Sequence, residues 1–252
     1  MDHQIATESL ELAIEGGSSA MNVHVAWPTE PGTYPSCIVC GELFGLTSHI
    51  RDVTERIARL GYVALAPDFY HRTSPNVHLA YTPEGREQGF ALLRQLRRSE
   101  VLDDVRAAIE YLRGRPDTTS MVGIVGFSLG GHMAYLAATQ FDLAIAVSFY
   151  GGWIVNSDIP LSQPEPPVAL TPGIAEHDGR VLYFIGGLDH AISADQITPL
   201  KEALSGAGVR HEIVIYPNVQ HGFFCNERDT FDEATRDDSW ERTKTALAEE
   251  LG

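Results

Sequence analysis

The stretch with the most chemistry in it is Gly126-Phe127-Ser128-Leu129-Gly130. A short apolar run, Val122 to Val125, leads into it, and a helix pattern follows at once. A serine two residues from a glycine on each side, at the turn from strand to helix, stands at the tip of a sharp, strained elbow with its hydroxyl exposed. The residues two before and two after must be small, because the backbone there brings neighbouring chains too close for side chains. A serine hydroxyl is a poor nucleophile at neutral pH and needs a base to take its proton as it attacks. Histidine suits that task because it titrates near the working pH. An acid behind the imidazole fixes its tautomer and stabilises the imidazolium. Asp189, in Gly186-Gly187-Leu188-Asp189, and His221, in Gln220-His221-Gly222-Phe223, follow Ser128 in the order serine, acid, histidine. Acyl transfer also needs donors for the oxygen that becomes negative. The candidates are the N–H of Leu129 and, from the loop after Cys40, that of Leu43. Taken singly, each residue has a plainer reading: a glycine-rich turn with an incidental serine, a turn-forming aspartate, a loop histidine. Their joint occurrence in this order argues against all three. His71, His78 and His132 are rival bases. His132 follows the elbow in its own helix and should point away from the tip. No histidine stands in a metal-ligand pattern such as His-Glu-x-x-His.

The elements that must position these residues read as alternating short strands and helices. Two alternating stretches, Ser9–Ile14 and Met21–Ala26, joined through Gly16-Gly17-Ser18-Ser19, predict an opening hairpin. Ser36–Cys40, Tyr62–Ala66, Met121–Phe127, Leu143–Ser148, Arg180–Ile185 and His211–Tyr216 read as strands, several of them continuously apolar and so buried on both faces. Ser48–Leu60 is an amphipathic helix with Ile50, Val53, Ile57 and Leu60 on one face, stopped by Gly61. Thr82-Pro83-Glu84 starts another, with threonine as cap and proline at the first position. Further helices are expected from Ser99 to Leu112, after the elbow, over Ala194–Ala207 and over Asp238–Leu251. Phe69–Tyr81 is irregular, and 154–179, rich in proline, reads as a surface excursion near the site. No repeat and no linker divides the chain, so residues 1–252 are expected to form one domain. Such alternation means a mostly parallel twisted sheet flanked by helices on both faces. Sites in such sheets lie beyond the carboxyl ends of the strands, where Glu42, Ser128, Asp189 and His221 all fall.

Among the 252 residues, 34 acidic against 18 basic side chains give a formal charge of −16. That field repels nucleic acid and anionic membrane surfaces. No apolar run approaches membrane-spanning length. Met1-Asp2-His3-Gln4-Ile5 has no basic region leading into an apolar core, so no secretory signal is expected. Three cysteines, Cys37, Cys40 and Cys225, make no disulfide framework and fit a reducing cytoplasm. Cys37-Ile38-Val39-Cys40 lies in a strand-like run, where alternation sends the two thiols to opposite faces, so both read as core residues.

Taken together, Glu42-Leu43-Phe44-Gly45, Pro67-Asp68-Phe69-Tyr70, Arg86-Glu87-Gln88, Gly126-Phe127-Ser128-Leu129-Gly130-Gly131, Gly186-Gly187-Leu188-Asp189-His190 and His221-Gly222-Phe223 resemble the dienelactone hydrolase (carboxymethylenebutenolidase) family over nearly the whole chain. The resemblance implies the α/β-hydrolase fold, hydrolysis of a small ester or lactone, and no cofactor. By it, Ser128, Asp189 and His221 match the triad positions. Glu42 matches a glutamate that contacts the nucleophile, and Arg86 one of two arginines that hold a substrate carboxylate. Two departures stand out. The family's nucleophile is usually cysteine, and here it is Ser128; an alcohol cannot be poised as a thiolate can, so catalysis should lean more on His221. Glu42 would then either hydrogen-bond the serine at rest or brace its loop. Four residues after the histidine, where the second arginine should stand, the chain has Cys225, with Arg228 nearby as a substitute. Phe44, Phe90, Tyr150, Trp153, Phe223 and Phe224 could form an apolar wall. His190 reads as rim or packing. The alternatives are a broad carboxylesterase or thioesterase with phosphotriester side activity, and a non-catalytic binding module on the same fold. A monomer or small homo-oligomer is expected.

Overall fold

The computed structural model describes residues 2–14 and 20–252. The Gly16-Gly17-Ser18-Ser19 connection expected in the first hairpin lies outside the described residues. Its two arms are β1 (Ile5–Ala13) and β2 (Ala20–Pro28), paired antiparallel from Ile5 opposite Pro28 to Ala13 opposite Ala20. The remaining strands are β3 (Tyr34–Cys40), β4 (Val63–Pro67), β5 (Thr118–Phe127), β6 (Ile145–Phe149), β7 (Arg180–Gly186) and β8 (Arg210–Tyr216). They form one eight-stranded sheet in the order β1-β2-β4-β3-β5-β6-β7-β8. From β4 to β8 every pairing is parallel, and β2 joins β4 antiparallel. Every residue of β4 and β6, and all but the first of β3 and β7, is buried. This matches their continuously apolar sequences, which suit strands covered on both faces.

The helices supply that cover. α1 (Ser48–Arg59) and α7 (Glu233–Leu251) share one face, where the Arg56 guanidinium lies 4.4 Å from the Trp240 ring. α3 (Arg98–Gly114) and α4 (Leu129–Ala138) touch on the other. α1 buries Ile50, Val53 and Ile57 as its apolar stripe predicts, and Thr47 caps it by accepting from the Ile50 N–H. α2 (Pro83–Leu93) starts at Thr82, whose hydroxyl accepts from the Gly85 N–H. α6 (Ala194–Gly206) packs on β8.

Two expectations are corrected. The last helix begins five residues before Asp238, because Asp232 caps it by accepting from the Thr235 N–H at 2.8 Å; the charged first turns carry no apolar periodicity to reveal this. Residues 154–179 are more than a surface excursion. They hold short 3-10 turns at Pro160–Ser162 and Pro167–Leu170 and the short α5 (Pro172–Glu176). Ile159, Leu161 and Ile174 are buried there, and Arg98 donates to the Leu161 carbonyl at 2.7 Å. Among the described residues no helix is long and apolar enough to cross a membrane.

Candidate active site

The parallel register brings five strand ends to one rim. Cys40 of β3 is level with Gly126 of β5, Phe127 with Phe149 of β6, and Gly186 of β7 with Tyr216 of β8. The loops after β3, β5, β7 and β8 carry Glu42 and Leu43, Ser128, Asp189 and His221.

Ser128 has φ 53° and ψ −112°. Positive φ is costly for any residue with a Cβ and persists only where the surroundings impose it. Here they do. The Ser128 N–H donates to Phe149 O at 2.9 Å, and the Ser128 carbonyl accepts from His132 N–H at 3.1 Å. A Cβ at Gly126 would strike the Gly130 carbonyl, and one at Gly130 would strike the carbonyls of Cys40 and Gly41. Both glycines of the motif are therefore required by contact, as the sequence pattern predicts.

The Ser128 Oγ lies 2.9 Å from His221 Nε2, and His221 Nδ1 lies 2.8 Å from Asp189 Oδ2. With a carboxylate on Nδ1, the network assigns the proton to that nitrogen and leaves the Nε2 lone pair for the serine hydroxyl. Asp189 serves two structures at once. Its Oδ1 accepts from the N–H groups of Ala191 at 2.7 Å and Ile192 at 3.2 Å, which is turn chemistry, while Oδ2 faces the imidazole. All three side chains are buried in the protein to within a few per cent, at 8%, 7% and 8% exposure for Ser128, His221 and Asp189. That leaves a narrow approach to the hydroxyl. The Tyr150 ring meets the imidazole edge-on at 4.9 Å and limits its movement.

Leu43 lines the same cleft as Ser128, and Leu129 follows the serine as the first residue of α4. Neither N–H is engaged by a backbone acceptor in a turn, loop or cap among the described residues. The Leu43 loop is held from behind, where the Tyr70 hydroxyl donates to the Leu43 carbonyl at 3.1 Å.

The rival histidines are occupied elsewhere. His71 Nε2 lies 3.1 Å from Asp104 Oδ1, in a buried cluster where Arg72 grips the same carboxylate with two bonds of 2.7 Å. His132 is fully buried and donates through Nδ1 to the Gly152 carbonyl at 3.1 Å, and burial lowers its pKa to about 4. His78 lines a separate cavity with Thr47 and Glu227.

The two readings of Glu42 part here, and the expected aromatic wall needs correction. Glu42 does not turn to the serine. Its Oε1 accepts from Arg228 Nη1 at 3.0 Å, in a pair whose carboxylate is almost wholly buried. Phe223 and Phe224 are core residues behind the site. Phe223 packs on Tyr150 and Tyr216, and Phe224 on Phe127, Phe149 and Trp240. Tyr150 is likewise fully buried. Sequence spacing cannot separate an aromatic that faces a cleft from one a residue away that faces the core. The cleft itself, about 50 Å3, is lined by Leu43, Phe44, Arg86, Phe90, Trp153 and His190 together with Ser128, His221 and Arg228. An open cavity of about 610 Å3 adjoins it and shares Phe44, Arg86, Phe90 and Arg228. Two features went unread in the sequence: the Arg86–His190 contact and the Glu42–Arg228 pair, both joining residues more than a hundred positions apart.

Cys37 and Cys40 are fully buried free thiols whose pKa burial pushes up, as befits core residues. Burial and the Glu42 carboxylate push Cys225 up to about 12, which favours the protonated thiol at neutral pH.

A mostly parallel eight-stranded sheet covered on both faces, with a serine elbow after the central β5, defines the α/β-hydrolase class. Residues 21–251 match the dienelactone hydrolase family, and the chain belongs to it. A Synechocystis protein provisionally named carboxymethylenebutenolidase is 38% identical over 232 residues, covering 90% of this chain and 91% of that one. Carboxymethylenebutenolidase 1 of Cupriavidus pinatubonensis is 30% identical over 215 residues, covering 85% and 86%. A crystal structure of a provisionally named dienelactone hydrolase from Klebsiella pneumoniae matches with a TM-score of 0.82 at 28% identity, covering 96% of this chain and 99% of that one.

Proposed function

We propose that this protein hydrolyses small esters or lactones through an acyl-enzyme, with Ser128 as nucleophile, His221 as general base and acid, and Asp189 orienting the imidazole. The observation that carries this reading is the unbroken hydrogen-bonded chain from Ser128 Oγ through His221 to Asp189, at 2.9 and 2.8 Å. In the first half-reaction Oγ bonds to the substrate carbonyl carbon while its proton passes to His221 Nε2. The carbonyl oxygen becomes negative and is received by the Leu43 and Leu129 N–H groups. The imidazolium, steadied by Asp189, returns the proton to the departing alkoxide as the ester C–O bond breaks. In the second half, water gives a proton to His221 and its oxygen to the acyl carbon, and Ser128 recovers its hydrogen as the acid leaves. Phe44, Phe90 and Trp153 offer apolar faces to the substrate, and Arg86 offers a cation.

Glu42 fits a bracing role in this reading, since its hydrogen bond goes to Arg228 rather than to the serine. That same pair favours one alternative. With Arg228 tied to Glu42, a single arginine is left for a substrate carboxylate, which suits a broader carboxylesterase. A panel of simple esters against cis-dienelactone separates the two.

The test is turnover of p-nitrophenyl acetate with fluorophosphonate labelling of the folded protein. Ser128→Ala is expected to lower kcat by about 10⁴-fold or more, the scale of removing a triad nucleophile, and to abolish labelling. Retained turnover would place the nucleophile elsewhere.

A further inference from the structure

Arg86, on α2, and His190, next to Asp189 after β7, meet on the wall of the cleft. Arg86 Nη2 donates to His190 Nε2 at 3.0 Å, across 104 residues of chain. The same guanidinium lies 5.6 Å from the Phe90 ring centroid. Its side-chain partners among the described residues are thus an imidazole and an aromatic face, and no carboxylate neutralises it. Arg228, the other arginine on the wall, is in contrast tied to Glu42. In a chain of 34 acidic against 18 basic residues, Arg86 therefore presents an uncompensated charge to whatever enters.

The hydrogen bond also fixes the state of His190. A guanidinium has donors and no acceptor, so Nε2 must carry its lone pair and the ring must be neutral. Partial burial, the neighbouring His221 and Arg86 itself all lower the His190 pKa, while Asp189 opposes them. One edge of the fork is held by His190, which leaves the other N–H groups for a planar anion. Without that tether Arg86 is a long side chain on an exposed helix surface, free to sample many rotamers.

We propose that His190 is a positioning residue: it holds Arg86 at the cleft, where the family resemblance sets this arginine against a substrate carboxylate. This rests on the hydrolase reading above. The carboxylate docks on the free edge of Arg86 while the ester carbonyl meets Ser128.

The experiment compares the mono-p-nitrophenyl ester of glutarate, which is anionic, with p-nitrophenyl valerate, which is neutral and of the same chain length. The wild type, His190→Ala, His190→Gln and Arg86→Ala are assayed on both. His190→Ala is expected to raise KM for the anionic ester about tenfold more than for the neutral one, the scale of one lost charge-assisted hydrogen bond. Its kcat should fall less than KM rises. Arg86→Ala should show the same selectivity. His190→Gln, whose side-chain oxygen can accept from Arg86, should recover most of the anionic KM. Equal damage to both esters, or no recovery with glutamine, overturns the assignment. Should the wild type turn over neither ester, the hydrolase reading fails instead. Calorimetry of glutarate binding to Ser128→Ala, with and without His190→Ala, then decides the His190 role by itself; equal affinities overturn it.

Discussion

Ser128, His221 and Asp189 show how separate plain roles become one arrangement. Asp189 is a turn residue by one oxygen and an imidazole partner by the other, so the turn-forming role and the contact with His221 do not exclude each other. Ser128 is held at positive φ by backbone contacts on both sides. Of the two expectations for Glu42, its hydrogen bond to Arg228 fits the brace and not the contact with the serine. Their pair sits beside Cys225, whose thiol is pushed up to about 12 by burial and that carboxylate. Cys37 and Cys40 are also buried and also raised. Titration of the native protein with an aromatic disulfide reagent at pH 8 is therefore expected to find no fast-reacting thiol, and unfolding in guanidinium should release all three cysteines. A fast-reacting native thiol would reopen cysteine as the nucleophile.

At the scale of elements, the elbow is the joint between β5 and α4, and its glycines are set by what they touch. Gly130→Ala would push a methyl group into the carbonyls of Cys40 and Gly41 at the end of β3. That strand end also leads into the Leu43 loop, so the collision moves backbone the site needs. Urea unfolding is expected to show a loss of about 3 kcal/mol or more, the upper range for single substitutions that overpack a core. Gly206→Ala is the control. It stands at the end of α6 with nothing within 4 Å of an added Cβ, and alanine there should stabilise by about 0.5–1 kcal/mol through helix propensity. The fold's elements were legible wherever apolar runs and caps coincide, as in β3, β5 and α1. The start of α7 was not, because Asp232 is a cap followed by charged residues without a stripe. Nor was the burial of 154–179, where Ile154, Ile159, Leu161 and Ile174, scattered among prolines, reach the core.

At the scale of the whole molecule, stability should respond to pH through His132. Burial depresses its folded pKa to about 4 from an ordinary value of 6.5. The sign follows from proton binding. Below pH 6.5 the unfolded chain takes up a proton that the native protein refuses until about pH 4, so acid favours unfolding. This contribution is fully present above pH 6.5, is lost as pH falls through the window from 6.5 to 4, and is on the order of 3 kcal/mol. Urea midpoints of the wild type and His132→Asn at pH 7 and pH 4.5 check it. The variant should lose less stability between the two pH values, and equal losses would assign the acid sensitivity elsewhere.

The sequence by itself determined the alternation of strands and helices, the elbow with its two glycines, and the order serine, acid, histidine. These are local or sequential properties: a 3.6- or 2-residue period, a turn that admits no Cβ, a position just after a strand. Tertiary structure alone decided which side chains meet. The register of β3, β5, β7 and β8 brings the ends of distant loops to one rim. Pairings such as Glu42 with Arg228 and Arg86 with His190 depend on the direction of each side chain in three dimensions, which spacing along the chain does not encode. The same holds for Phe223, where two steps along a loop separate His221 at the cleft from a ring in the core.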